Sequence, residues 1–175
     1  MRAFFGIPLD DALRERLVEA QADLRTAGAD VLWVKPESLH LTLKFLGEVS
    51  DDFRADLGPV KAFDLELAGI GEFSGRVVWA GCRGDVESLR SAAALLEAAA
   101  ERAGVPRERR PLEPHVTIGR MKSNCNLHAL RGRMSAWRDR VFGSWPVRRI
   151  VLFRSETSPR GSVYKVVAEY PCIAR

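Results

Sequence analysis

The chain has 175 residues, 46% of them hydrophobic, and 27 Lys and Arg against 23 Asp and Glu give it a formal net charge of +4. That length holds one domain or two small fused lobes, and the apolar content excludes a disordered chain. The mild basic excess permits an anionic partner without demanding one. Cys82, Cys125 and Cys172 are odd in number and irregular in spacing, which excludes a disulfide framework and leaves reduced thiols as the simple reading. The apolar stretch at Phe4-Phe5-Gly6-Ile7 is too short for a signal segment and ends at Pro8 and Asp10-Asp11. No run approaches the ~20 apolar residues of a membrane span. A soluble, cytoplasmic protein is expected.

In chain order, Phe4 to Ile7 reads as a first strand. Asp10 and Asp11 are N-cap residues for a helix whose apolar stripe, Leu13, Leu17, Ala20, Leu24 and Ala27, alternates steps of four and three and ends at Gly28. Val31 to Val34 is extended, Pro36 follows, and His40 to Leu46 reads as a strand. Ser50-Asp51-Asp52 predicts the start of a short helix ending near Gly58-Pro59, and Asp64 to Ile70 a strand. Arg76 to Cys82 is another strand, Gly84-Asp85 a turn, and Leu89, Ala93, Leu96, Ala100 and Ala103 form a second helical stripe ending at Gly104. Pro106 and Pro111 interrupt the chain before a strand from His115 to Met121. Asn126 to Val141 reads as helix. Val147 to Phe153 and Val163 to Val167 form a hairpin around Ser158-Pro159-Arg160-Gly161.

The order strand, helix, strand occurs twice. Lys35-Pro36-Glu37-Ser38-Leu39-His40-Leu41-Thr42-Leu43-Lys44-Phe45-Leu46 aligns with Arg110-Pro111-Leu112-Glu113-Pro114-His115-Val116-Thr117-Ile118-Gly119-Arg120-Met121 in its basic residue, proline, histidine, threonine and aliphatic positions. Gly28 and Gly104 are separated by the same interval as the two histidines, to within one residue. The duplication predicts two similar lobes, each a helix on a sheet, as a pseudo-symmetric pair.

Residues two apart on a strand share a face. His40 and Thr42 therefore oppose Leu41 and Leu43, as His115 and Thr117 oppose Val116 and Ile118. A two-fold relation lets the polar faces meet in a cleft with two imidazoles and two hydroxyls. That set suits acid–base work on a phosphodiester: one neutral ring takes a proton from water, and one protonated ring supplies the leaving oxygen. The threonines donate hydrogen bonds to phosphate oxygens, and Arg120 adds a charge-assisted contact. His128 matches nothing in the first half and reads as solvated or capping. No cluster of His, Cys and carboxylates has metal-ligand spacing, and there is no glycine-rich phosphate loop. Trp33, Trp79, Trp137 and Trp145 read as core or lobe-interface residues.

These residues resemble the 2H phosphoesterase superfamily, named for two His-x-(Thr/Ser)-x motifs, and within it the RNA 2′,3′-cyclic phosphodiesterases, also called 2′-5′ RNA ligases. The likeness runs over nearly the whole chain, through Phe4 to Pro8, Trp33 to Val49, Arg110-Pro111, His115 to Arg120 and Ser158 to Tyr164. It implies an α+β, bilobal fold with two antiparallel-rich sheets, helices outside and a central cleft, residues 1–175 forming a single phosphodiesterase domain. It implies hydrolysis of a terminal 2′,3′-cyclic phosphate on RNA or a nucleotide to a 2′-phosphate, without metal or other cofactor, and weak reversible 2′-5′ joining. His40 would be the proton donor to the leaving 3′ oxygen and His115 the acceptor from water, with Thr42 and Thr117 holding the phosphate. Phe45 and Arg120, each five residues after its histidine, would face the base and the phosphate or ribose; a strict period of two sends them to the other face, so a bulge or twist must turn them inward. Partners are RNA ends or nucleotides and no membrane, with the chain a monomer.

Two other functions compete. A binding module would capture phosphorylated RNA ends without turnover, although it has no need of a paired acid and base. An enzyme of the same kind would act on a different small cyclic phosphate or a 2′-5′ oligonucleotide.

Overall fold

The computed structural model describes residues 1–159 and 161–174. Its elements are β1 (Arg2–Pro8), α1 (Asp11–Arg25), β2 (Val31–Trp33), a 3-10 turn at Pro36–Ser38, β3 (His40–Glu48), β4 (Phe63–Phe73), β5 (Val77–Gly84), α2 (Val86–Arg102), β6 (His115–Met121), α3 (Leu127–Ser135), β7 (Val141–Val147), β8 (Arg149–Ser158) and β9 (Gly161–Pro171). The strands follow the order β7-β4-β5-β6-β3-β1-β8-β9, and β2 pairs with β6 off this path. Every pairing between these strands is antiparallel.

The duplication is visible in that order. Four strands on one side, β7-β4-β5-β6, face four on the other, β3-β1-β8-β9, and the halves meet between β6 and β3 at the register pair Leu41↔Val116. The two sheets expected from the resemblance are these halves, joined edge to edge into one curled surface. One apolar core runs beneath both, including Leu13, Leu17 and Leu24 of α1, Leu89 and Leu96 of α2, and Leu41 and Val116 at the junction, and a smaller cluster of Phe4, Val151 and Phe153 stands apart from it.

Both helices form where the sequence predicts, the first with its expected cap and the second capped by Asp85, which the sequence marks only as a turn residue. The Asp10 carboxylate accepts from the Leu13 N–H at 2.8 Å, and that of Asp85 from the Ser88 N–H at 3.1 Å. Each helix then reaches across the junction. Gln21 of α1 is buried and its amide donates at 2.8 Å to the carbonyls of both Val34 and Ile118, the latter on β6. Glu97 of α2 pairs at 3.0 Å with Lys44 of β3, whose buried ammonium also donates to the Pro106 carbonyl at 2.9 Å. Gln21 and Glu97 hold equivalent places in their helices, four residues after Leu17 and Ala93.

Two expectations fail. No helix forms after Ser50. The chain turns at Asp51-Asp52 and runs irregularly to Pro59, because both carboxylates are engaged elsewhere: Asp51 pairs with the Met1 ammonium at 3.0 Å, and Asp52 accepts from the Ser50 hydroxyl. The helix expected from Asn126 to Val141 ends at Ser135. Trp137 leaves it to stack on Phe142, with interplanar angle 5°, and donates its indole N–H to Asp23 at 2.7 Å. The chain then enters β7. Pro146 obscured that strand in the sequence, yet β7 lies at the sheet edge, where a missing N–H costs no ladder bond. The β8–β9 hairpin forms as expected; Arg160 of its turn lies outside the described residues. No helix among the described residues is long and apolar enough to cross a membrane, which says nothing of strands.

Replacing Gln21 by Leu keeps the volume but takes the amide donor from the Val34 carbonyl, while the Ile118 carbonyl keeps the Val34 N–H at 3.0 Å. The variant should lose about 1–3 kcal/mol, the cost of one buried group left unpaired. Urea denaturation checks this; an unchanged midpoint would show that the amide does not hold the junction.

Candidate active site

His40 opens β3 and His115 opens β6. Extending the Leu41↔Val116 register by one residue each way sets His40 opposite Thr117 and Thr42 opposite His115. The histidines therefore occupy one diagonal of a four-residue square and the threonines the other, on a single face of the sheet. The opposite face, with Leu41, Leu43, Val116 and Ile118, is buried in the core.

The period of two then breaks in both strands at equivalent points. Between β1 and β3 the register passes from Gly6↔Thr42 to Phe5↔Lys44, leaving Leu43 as an extra residue. Between β5 and β6 it passes from Trp79↔Thr117 to Val78↔Gly119, leaving Ile118 extra. These bulges send Lys44 and Gly119 into the interior and turn Phe45 and Arg120 outward onto the histidine face. Phe45 is 56% exposed, so it is no core residue. Gly119 is small because a Cβ there would come within 2.7 Å of Val31 Cγ1 on β2. All six expected residues, His40, Thr42, Phe45, His115, Thr117 and Arg120, line one cavity of about 440 Å³. His128 is exposed on α3, outside this cavity.

Each imidazole is oriented by its own chain. His40 Nδ1 lies 2.7 Å from the Ser38 carbonyl, and His115 Nδ1 lies 2.7 Å from the Glu113 carbonyl. A carbonyl only accepts, so each Nδ1 carries hydrogen and each Nε2 of the neutral ring keeps its lone pair. Thr42 donates to Nε2 of His40 at 2.9 Å. Gly6 makes room for this ring; a Cβ there would stand 3.2 Å from His40 Cδ2 and 2.9 Å from the Leu41 carbonyl oxygen.

The surroundings of the two rings differ. His40 is packed among Phe4 (centroids 4.7 Å apart), Tyr164 (5.0 Å) and Phe153 (5.9 Å). His115 meets Phe73 edge-on at 5.2 Å. Burial pulls the His40 imidazole down from 6.5 to about 4; the Ser38 carbonyl opposes the shift, while the charges of Arg120 and His115 add to it. Unfolded His40 thus gains its proton before folded His40. The stability this group contributes is present above about pH 6.5 and is lost as pH falls toward 4.

The cavity also contains residues that were not singled out in the sequence. Ser155 and Thr157 of β8 pair with Tyr164 and Ser162 of β9, placing four hydroxyls on one wall. Their alternation along β8 was a usable signal. Their approach to His40 was not, because it depends on β8 pairing with β1. Arg2, at the start of β1, stands at the same rim. Among the described residues, no three His, Cys, Asp or Glu side chains gather as a metal site would require.

Two pseudo-symmetric halves, each contributing one His-x-Thr strand to a shared cavity, define the 2H phosphoesterase fold. The family model of the 2′-5′ RNA ligase superfamily matches residues 9–159, and the chain belongs to that superfamily. It is 32% identical over 176 residues to the RNA 2′,3′-cyclic phosphodiesterase of Methanothermobacter thermautotrophicus, covering 94% of this chain and 95% of that protein. Among solved structures, E. coli LigT complexed with 3′-AMP superposes with a TM-score of 0.79 at 27% identity, covering 98% of this chain and 97% of the other. TT0787 of Thermus thermophilus superposes with a TM-score of 0.76 at 31% identity, over the same shares.

The enclosure of His40 makes a spectroscopic prediction. In the ligand-free protein its ring resonances should titrate near pH 4, and saturating inorganic phosphate should move that midpoint upward, because an anion favours the imidazolium. Two-dimensional NMR of the histidine rings measures both; a His40 midpoint near 6.5 would contradict the aromatic enclosure.

Proposed function

We propose that this chain hydrolyses RNA or nucleotide 2′,3′-cyclic phosphate ends to 2′-phosphates, with reversible 2′-5′ joining of RNA ends when a 5′ hydroxyl takes the place of water. The observation that carries the reading is the diagonal pair of imidazoles, each held by a carbonyl two residues back, in one cavity with Arg120. Membership of the superfamily and likeness to proteins named RNA 2′,3′-cyclic phosphodiesterase support the substrate class. Residues 1–175 act as one domain, since each half supplies only one histidine. The setting is cytoplasmic and the working unit a monomer.

In the forward reaction water attacks phosphorus. His115 accepts the water proton on Nε2 as the new P–O bond forms, and His40 donates a proton to the 3′ oxygen as the P–O3′ bond breaks. Thr42 and Thr117 donate hydrogen bonds to the non-bridging oxygens, and the Arg120 guanidinium offsets the negative charge growing there. Phe45 offers its exposed ring to a base. His40 is neutral in the empty cleft at pH 7, so its donor role requires proton uptake on binding, which the phosphate anion favours.

The same enclosure supports a second reading, in which neutral His40 takes the water proton and the more open His115 supplies the leaving oxygen. Leaving-group chemistry separates the two. His40→Ala and His115→Ala should each lose roughly 10²–10⁴-fold in kcat on a 2′,3′-cyclic mononucleotide, and the double variant should be little worse than either single one, since the pair acts as a unit. A substrate with sulfur at the 3′ bridging position needs no proton on leaving and should restore His40→Ala but not His115→Ala. Restoration of His115→Ala alone would reverse the roles. Full turnover by either single variant, stably folded, would end the two-histidine mechanism, and a 3′-phosphate product would end the proposed geometry.

A further inference from the structure

A second cavity, of about 480 Å³, adjoins the first. Gly75, Arg76, Lys122, Ser123 and Asn124 are among its lining, and Arg120 is shared between the two cavities. Its walls are the start of β5 and the end of β6, held together by the Val77↔Arg120 register pair and by the Met121 N–H donating to the Arg76 carbonyl at 2.8 Å. Arg76, Arg120 and Lys122 are all exposed. Among the described residues, no ion pair engages any of the three.

Glu72, at the end of β4 near these cations, is held away from them. Its carboxylate accepts from the Gly75 N–H and from Arg131, 2.8 Å from that guanidinium, and these bonds keep it below the usual carboxylate range. The turn that brings Gly75 there uses left-handed backbone at Ser74 and Gly75, with φ of 51° and 64°. A Cβ at Gly75 would meet Leu127 at 3.3 Å, so the groove floor is glycine because a side chain would crowd it. The result is a groove with three uncompensated cations and the polar side chains of Ser123 and Asn124. It lacks the aromatic walls that surround His40.

From this we infer that the groove carries the RNA strand on the 5′ side of the terminal nucleotide, binding its phosphodiesters through Arg76 and Lys122. The inference rests on the proposed function: the reacting phosphate lies beside Arg120 in the first cavity, and the strand leaving it must pass a neighbouring surface. Arg120 then stands between the reacting phosphate and the next one upstream. Cations without base-reading partners bind the backbone irrespective of sequence. The groove therefore distinguishes a polymer end from a mononucleotide and is indifferent to which RNA is offered.

The test compares the wild type with Arg76→Ala, Lys122→Ala and the double variant, using Arg90→Ala on the exposed face of α2 as the control that matches each single variant in charge. Thermal melts confirm folding of each. Anisotropy of a labelled RNA hexamer ending in a 2′-phosphate should show about tenfold weaker binding for the double variant and no change for Arg90→Ala. The slope of log Kd against log salt should become shallower by roughly 0.7 for each phosphate that the variant no longer neutralises, as for single strands. With a hexamer ending in 2′,3′-cyclic phosphate the double variant should raise KM about tenfold and leave kcat alone. With a 2′,3′-cyclic mononucleotide, which does not reach the groove, both constants should match the wild type. Equal hexamer affinity and salt slope in wild type and double variant would overturn the groove, whatever the turnover. Failure of the wild type to hydrolyse either the hexamer or the mononucleotide would overturn the proposed function instead, so the two readings fail separately.

Discussion

The structure depends on the narrow contact between β3 and β6. Along their length the described register holds one pair, Leu41↔Val116, yet that pair joins the halves, continues the core beneath them and brings both polar faces to one side. Two edge strands meeting at one point would be a weak joint if nothing else crossed it. The helices cross it, Gln21 to the Ile118 carbonyl and Glu97 to Lys44. Both reach β-bulges or the residue after one, where a disrupted ladder would leave groups unpaired.

The bulges connect this joint to the chemistry. An uninterrupted strand would have placed Phe45 and Arg120 in the core, where a guanidinium with no partner is prohibitive. One extra residue in each histidine strand reverses the phase just after the threonine and presents an aromatic ring from one half and a cation from the other. What occupies the interior instead differs between copies. Lys44 requires Glu97 and a carbonyl, whereas Gly119 leaves space that β2 fills.

That divergence runs through the cleft. The duplication supplies two imidazoles with the same Nδ1 anchor, but aromatic rings from β1, β8 and β9 enclose only His40. That enclosure holds the His40 imidazole well below its ordinary proton affinity, a bias that strict symmetry would deny to one ring alone. The cations Arg2 and Arg120 stand at the rim, so the enclosed ring is neutral while the approach to it is positive.

Periodicity and local chemistry carried much of this in the sequence: the two helices, the Asp cap of the first, the strands holding the His-x-Thr motifs, the duplication, and the face on which each histidine lies. These are properties of three or four neighbouring residues, and the chain states them directly. The short helix after Ser50 and the long one after Asn126 were misread because their signals were consumed by distant partners, the Met1 ammonium for Asp51 and Phe142 and Asp23 for Trp137. Strand β7 was invisible because its proline is tolerable only at an edge, and being an edge is a property of the whole sheet. The need for a bulge was legible; its position at Leu43 and Ile118 was settled by the register of β1 and β5. The approach of the hydroxyl wall to His40, the enclosure of that ring and the basic groove beside Arg120 belong to the tertiary structure alone, since each depends on strands far apart in the chain.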